Sequence, residues 1–83
     1  IHNEGMMIMV RIENMFREGN LITLDCFEEG NKEKGHHVIF DIDTFEIKND
    51  ATNNIYVRQS IAKAWNYVIE GEPLPREAYS YWC

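Results

Sequence analysis

The chain has 83 residues, of which 45% are hydrophobic and 27% charged, and its net charge is −6. This length fits one small domain, and this composition excludes a disordered chain. The longest apolar run falls far short of the ~20 residues of a membrane-spanning helix. Residues 1–50 hold 11 acidic and 5 basic residues, whereas residues 51–83 hold 3 of each. Because the periodicity also changes near Asp50, from strand-like to helix-like, we expect an acidic sheet followed by a neutral helix.

Residues 1–5 precede two methionines and begin with an isoleucine, which is not a natural start. We interpret this segment as added or disordered, or the chain as a fragment, and give His2 no functional weight. No signal peptide is recognisable. The two cysteines, Cys26 and Cys83, do not make a disulfide framework, and a bridge between them is the less favoured alternative. We therefore expect a reduced, cytoplasmic protein.

Alternating apolar and polar residues predict three strands within a sheet segment, residues 6–49. In chain order, these strands cover residues 6–16, 21–28 and 36–42. Gly19 and Asn20 supply turn chemistry after the first strand. The charged segment 29–35, which contains two glycines, predicts a solvated loop after the second.

The pairing of the second and third strands can be predicted from the loop between them. A loop centred near Lys32 gives three antiparallel pairs, namely Cys26 with Val38, Leu24 with Phe40 and Ile22 with Ile42. All six side chains then lie on one face, so the pattern and the loop length agree.

The alternation slips at Asp43 and Thr44, because Phe45 and Ile47 are odd-numbered whereas the preceding inward residues are even-numbered. A tight turn followed by a short fourth strand over residues 45–48 explains the slip best. A β-bulge within one long strand is the alternative.

Residues 53–71 predict a helix that ends at Gly71, a favoured residue after a helix terminus. Apolar residues spaced three or four apart form one stripe: Val57, Ile61, Ala64, Trp65 and Val68. Further apolar residues widen this stripe beyond what one sheet requires. Either the aromatic tail, residues 74–83, or a partner chain should cover the flank, and Pro75 could open a last short helix in that tail.

These elements together predict an α+β fold of one domain, residues 1–83. It comprises a three- or four-stranded antiparallel β-meander, one long helix packed on the sheet, and a short C-terminal helix or extended tail.

The strongest candidates for enzyme chemistry are Asp41 and Asp43, with Asp25, because a hard cation such as Mg²⁺ prefers carboxylate oxygens. A turn at Asp43 and an ordinary outward strand position at Asp41 explain the first two better than a metal site does. His36 and His37 are adjacent on a strand and point to opposite faces, so they do not form a zinc pair. No nucleophile–base pattern and no glycine-rich phosphate loop is present. We therefore expect no catalysis, no metal and no cofactor.

The sheet face turned away from the helix should mix apolar and acidic side chains. Methionine suits surfaces that must repack, and tyrosine and tryptophan carry much of the binding energy of interfaces. The candidate interaction surface comprises Met7, Met9, Glu13, Asp25, Glu28, Ile39, Asp41, Asp43, Tyr81 and Trp82.

The leading hypothesis is a non-catalytic protein-interaction or regulatory module that binds another protein, or a second copy as a homodimer, through its acidic sheet surface. The alternative is an acidic inhibitor that imitates phosphates in the groove of a nucleic-acid-binding protein. Its carboxylates would be Asp25, Glu28, Glu29, Glu33, Asp41, Asp43 and Glu46. A small carboxylate metal enzyme is a third, weaker reading. Direct nucleic-acid binding is not expected, because phosphate contacts need a basic patch, and no membrane contact is expected either.

Overall fold

The computed structural model describes residues 7–82. The elements along the chain are β1 (Ile8–Glu18), β2 (Leu21–Glu28), β3 (Gly35–Asp41), β4 (Glu46–Ile47), α1 (Ile55–Ile69) and β5 (Ala78–Trp82). The strands form one antiparallel sheet in the order β4-β3-β2-β1-β5, and α1 packs on one side of it. The predicted α+β fold, with a helix after the meander, is confirmed. The interpretation of residues 1–5 and the question of a bridge to Cys83 lie outside the described residues.

The core lies between the sheet and α1. Its strand residues are mostly even-numbered, as the alternation predicts, and it also takes in Val57 and Ala64 of the helix. The buried strand and turn residues are Val10, Ile12, Met15, Ile22, Leu24, Cys26, Val38, Phe40 and Ile42. Burial raises the pKa of the Cys26 thiol.

A β-bulge interrupts β1. Glu13 pairs with Asp25 and Phe16 with Thr23, so Asn14 and Met15 together oppose Leu24. Asn14 accommodates the bulge in a left-handed conformation, with φ of 55°. The bulge reverses the parity of the strand, so that Met15 is buried and Phe16 is exposed.

The pairing of β2 with β3 differs from the prediction by two residues. Leu24 lies opposite Val38 and Ile22 lies opposite Phe40. The loop is centred one residue earlier than expected, because the N–H of Glu28 donates to the carbonyl of Lys34. The predicted partners are therefore wrong. The predicted faces are right, since a shift of two residues preserves the parity of a strand.

The chain reverses after β3 through a tight turn, as the slip in alternation indicated. Asp41 pairs with Glu46 and Phe40 pairs with Ile47, so β4 is a separate strand rather than the continuation of a bulged one. Phe45 closes the turn with φ of 61°, and its N–H donates to the carbonyl of Asp41.

Both ends of α1 are capped, and the C-terminal end is the one that the sequence predicts at Gly71. The Oδ1 atom of Asn54 accepts the N–H of Val57 at 3.0 Å, which satisfies one of the unpaired donors of the first turn. Gly71 adopts a φ of +71°, and its N–H donates to the carbonyl of Val68, while the N–H of Glu72 donates to Tyr67. This is the usual way in which a glycine ends a helix.

The tail forms a fifth strand and not the short helix that Pro75 suggested. β5 pairs with β1 from Ile8 opposite Trp82 to Ile12 opposite Ala78. The extended alternative is therefore the one observed. Trp82 packs edge-on against Tyr56 of α1, with ring centroids 5.8 Å apart, so the tail covers the helix flank. Within residues 7–82, no helix is long and apolar enough to cross a membrane.

Candidate protein-interaction surface

The side of the sheet opposite α1 is called the outer face. It carries the odd-numbered residues of β2, β3 and β5 and those of β1 that precede the bulge. The pairing of β1 with β5 places Met9 beside Tyr81 and Arg11 beside Tyr79 on this face.

A row of alternating charges crosses the outer face. Arg11 forms ion pairs with Glu13 and with Glu77, the second at 3.1 Å, and Lys32 reaches Glu13 from the β2–β3 loop at 2.6 Å. The hydrogen bonds from Lys32 and Arg11 lower the pKa of Glu13. Composition predicts an acidic surface here. At the centre of the outer face, basic residues of the same chain neutralise the negative charge of Glu13.

Asp25 is also engaged within the outer face. One carboxylate oxygen contacts Nδ1 of His37 at 2.7 Å, and the other accepts the amide of Asn14 at 2.9 Å. His37 lies directly opposite Asp25 on β3. The contact therefore follows from the observed register.

Two exposed tyrosines dominate the β1–β5 end of the outer face. The rings of Tyr79 and Tyr81 stack with centroids 6.1 Å apart and an interplanar angle of 19°. They are 39% and 58% exposed. The Arg11 guanidinium lies 5.1 Å from the centre of the Tyr79 ring and donates to its hydroxyl. We call Met9, Tyr79 and Tyr81 the tyrosine patch.

The structure places six of the ten predicted surface residues on the outer face. These are Met9, Glu13, Asp25, Ile39, Asp41 and Tyr81. Met7 is 57% exposed and lies one residue before β1.

Asp41 and Asp43 lie at the β3–β4 turn, at the far end of the sheet. The Oδ1 atom of Asp41 accepts the N–H groups of Asp43 and Thr44, at 2.8 and 3.2 Å, and Asp43 accepts the side-chain amide of Asn20. Both carboxylates thus hold the turn. Among residues 7–82, no group of three or more His, Cys, Asp or Glu side chains is placed to hold a metal ion.

Glu28 and Trp82 lie on the helix side of the sheet, apart from the candidate residues on the outer face. Both are even-numbered and share the parity of the core strands. Glu28 contacts Nε2 of His36 at 2.7 Å and accepts the amide of Asn54 at 3.0 Å. The hydrogen bond from His36 is the main reason that the pKa of Glu28 is lowered.

A groove that the sequence analysis did not predict lies between the β3–β4 turn and α1. It has a volume of about 640 Å³ and opens widely to solvent. Its lining is mixed: Phe40, Phe45, Glu46, Ile47, Asn49, Ala51, Asn53, Arg58 and Ile61. Phe45 is 59% exposed although its ring packs edge-on against Trp65, with centroids 5.0 Å apart.

Tyr79 belongs to the tyrosine patch and Arg11 to its border, but neither is among the ten residues of the candidate interaction surface predicted from the sequence. The alternation of Tyr79 and Tyr81 with smaller residues was the signal available for both tyrosines, because it is the pattern of a strand. No protein-family model, curated protein or solved structure matches this chain.

Proposed function

We propose that this domain is a non-catalytic protein-interaction module that binds another protein, or a second copy of itself, through the tyrosine patch and the adjoining edge of the sheet. The main support for this proposal is the stacked pair of exposed tyrosines on β5. Large aromatic side chains contribute strongly to interface energy, and stacking holds these two in place before a partner arrives.

The charges beside the patch favour a mainly uncharged partner surface. Arg11 borders the patch, but Glu13, Glu77 and the hydroxyl of Tyr79 already occupy its guanidinium. A partner would not need to supply a carboxylate to satisfy this arginine. The surface proposed from the structure is therefore aromatic at its centre, with a compensated ionic row as its border.

The ionisable groups with shifted pKa values take part in contacts that hold the fold together. Lys32 lowers the pKa of Glu13, His36 lowers that of Glu28, and a hydrogen bond to Glu29 raises that of Tyr56. Each cause is a contact that also joins two elements of the fold. None of these groups lines the groove beside Phe45, where a substrate would find space.

Site-specific photo-crosslinking in cells tests the proposal. A photoreactive phenylalanine analogue at position 81 should give a discrete protein adduct, either with another protein or with a second copy. The matched control places the same analogue at Asn66, an exposed position of α1. Equal labelling at both positions, or no adduct at position 81, would contradict the proposal.

A further inference from the structure

We infer that the partner of the β5 edge is a second copy of this chain, which pairs β5 with β5 antiparallel about a two-fold axis at Ser80. The inference rests on the proposed function and gives its partner an identity. The result would be one continuous ten-stranded sheet with a helix on the same side in each half.

The direction of the backbone groups follows from hydrogen bonds that the structure shows. Met9 accepts the N–H of Glu29 through its carbonyl, and its own N–H points to the Glu29 carboxylate, so its peptide groups face β2. By the alternation of an antiparallel pair, Val10 and its neighbours of the same parity face β5. Their partners on β5 are Ala78, Ser80 and Trp82. The N–H and C=O groups of Tyr79 and Tyr81 therefore point away from β1, where the described part of the chain places no further strand.

The two edges of the sheet differ in how they are protected. β4 is two residues long, includes Glu46 and is followed by Lys48, and short charged strands resist pairing with another chain. β5 has five residues and contains no charge, no proline and no bulge. An edge of this kind is a template for a further strand.

The sequence of β5 is complementary to itself in one register. Outward peptide groups must meet outward peptide groups, so odd-numbered residues pair with odd-numbered residues. Only a two-fold axis at Ser80 pairs odd-numbered with odd-numbered residues and also keeps all five residues of each β5 in the pairing. Tyr79 then lies opposite Tyr81 of the second copy and extends the stack on the outer face, while on the helix side the small Ala78 lies opposite the large Trp82.

Charge and area indicate how strong this pairing is. A chain of net charge −6 repels its own copy at long range, but β5 carries none of that charge, so no like charges meet at the seam. Glu77, the nearest carboxylate in sequence, is already paired with Arg11. Two five-residue strands bury less than the ~1,200 Å² of stable complexes, so we expect a weak dimer that forms as the concentration rises.

The decisive experiment is sedimentation equilibrium over a concentration series, at low and at high salt, with four forms of the protein. The unmodified chain should dimerise at both salt concentrations. Tyr81→Glu should raise the dissociation constant by at least about tenfold, since a charge at the seam opposes pairing. Phe16→Glu, the matched control, alters an exposed aromatic of the outer face outside β5 and should leave the constant unchanged.

The fourth form tests the register. Combining Tyr79→Lys with Tyr81→Glu places each new cation opposite a new carboxylate of the second copy when the axis passes through Ser80, so dimerisation should return at low salt. A failure to return overturns this register. If the chain stays monomeric throughout, the dimer is wrong. An adduct of position 81 with a different protein would then preserve the proposed function, whereas no adduct would remove both.

Discussion

Glu28 connects three elements through one carboxylate oxygen. This Oε2 atom contacts His36 on β3 and accepts a hydrogen bond from the side-chain NH2 group of Asn54, whose side-chain oxygen Oδ1 caps α1. The side chain is 22% exposed, so water weakens these contacts only in part. Its role is to fix the start of the helix on the sheet.

Replacing Glu28 tests that role through pH. Its folded-state pKa lies below the ordinary value of 4.5, so the ionised carboxylate stabilises the fold above that pH, and the contribution is lost as the pH falls through the folded-state pKa. Glu28→Gln should lower the free energy of unfolding by about 1 kcal/mol at pH 7. Urea denaturation should show the difference shrinking as the pH falls below 4.5. Glu33→Gln, an exposed change in the adjacent loop, is the control, and an equal effect there would contradict the role.

Gly35 permits a close cross-strand contact. It lies opposite Phe27, and a Cβ atom at Gly35 would stand 2.7 Å from Cε1 of that ring. Gly35→Ala should therefore destabilise the fold by about 1–2 kcal/mol, the usual cost of overpacking.

A double-mutant cycle identifies the cause. Phe27→Leu removes the obstructing ring, so Gly35→Ala should cost clearly less in that background. Thermal or urea denaturation of the four proteins gives the coupling. Additive effects would show that the ring is not what excludes the methyl group.

The β3–β4 turn combines an unusual backbone conformation with a useful contact. Phe45 adopts a positive φ, which is uncommon for a bulky residue, and its ring packs against Phe40 and Trp65. The ring contact compensates for the backbone strain, and it also closes one side of the groove.

The two effects at Phe45 can be separated by two substitutions. Phe45→Ala and Phe45→Gly both remove the ring, but only glycine relieves the left-handed strain, by about 1 kcal/mol. The glycine variant should therefore be the more stable of the two in urea denaturation. Equal stability, or a more stable alanine variant, would mean that the turn does not hold the left-handed conformation in solution.

The elements show where the sequence was sufficient and where it was not. Parity predicted the inward faces of β2 and β3, because a period of two is a local property. The register of β2 with β3 was wrong by two residues, because Glu29 and Gly30 form a turn whose position depends on their backbone conformation. The sequence does not decide between a short helix and an extended tail at β5, because Tyr79 and Tyr81 fit both until the edge of β1 is known to be available.

The same reasoning applies to the candidate surface. Tyr81 was identified from its residue type, and its place on the outer face follows once β5 is a strand. Charge makes Glu28 a candidate for the interaction surface, whereas its even number assigns it to the helix side of the sheet, where the structure has it. The compensation of Glu13 depends on Lys32 folding back from a loop, which no local pattern reveals.

At the scale of the whole molecule, the two faces of β5 have different roles, because one contributes to stability and the other to binding. Trp82 faces the helix and packs on Tyr56, whereas Tyr81 faces outward and is 58% exposed. Trp82→Ala should lower the free energy of unfolding by about 2 kcal/mol. This is less than the usual cost of truncating a fully buried tryptophan, because Trp82 is only half-buried. Tyr81→Ala should change stability by less than about 0.5 kcal/mol.

Replacing Tyr81 should have a large effect on dimerisation although its effect on stability is small. Tyr81→Ala should weaken dimerisation in sedimentation equilibrium while the protein stays folded by circular dichroism. A Tyr81→Ala variant that dimerises as the unmodified chain does would place the binding surface elsewhere on the sheet.

β5 is an edge strand, and we infer that the outward N–H and C=O groups of Tyr79 and Tyr81 pair with a second copy of the chain. Residue-resolved amide hydrogen exchange over a concentration series tests it most directly. At low concentration, we predict slow exchange for Ala78, Ser80 and Trp82, which bond to β1, and fast exchange for Tyr79 and Tyr81. At high concentration, the two tyrosine amides should slow as well. Tyrosine amides that are slow at low concentration, or fast at every concentration, would contradict the claim.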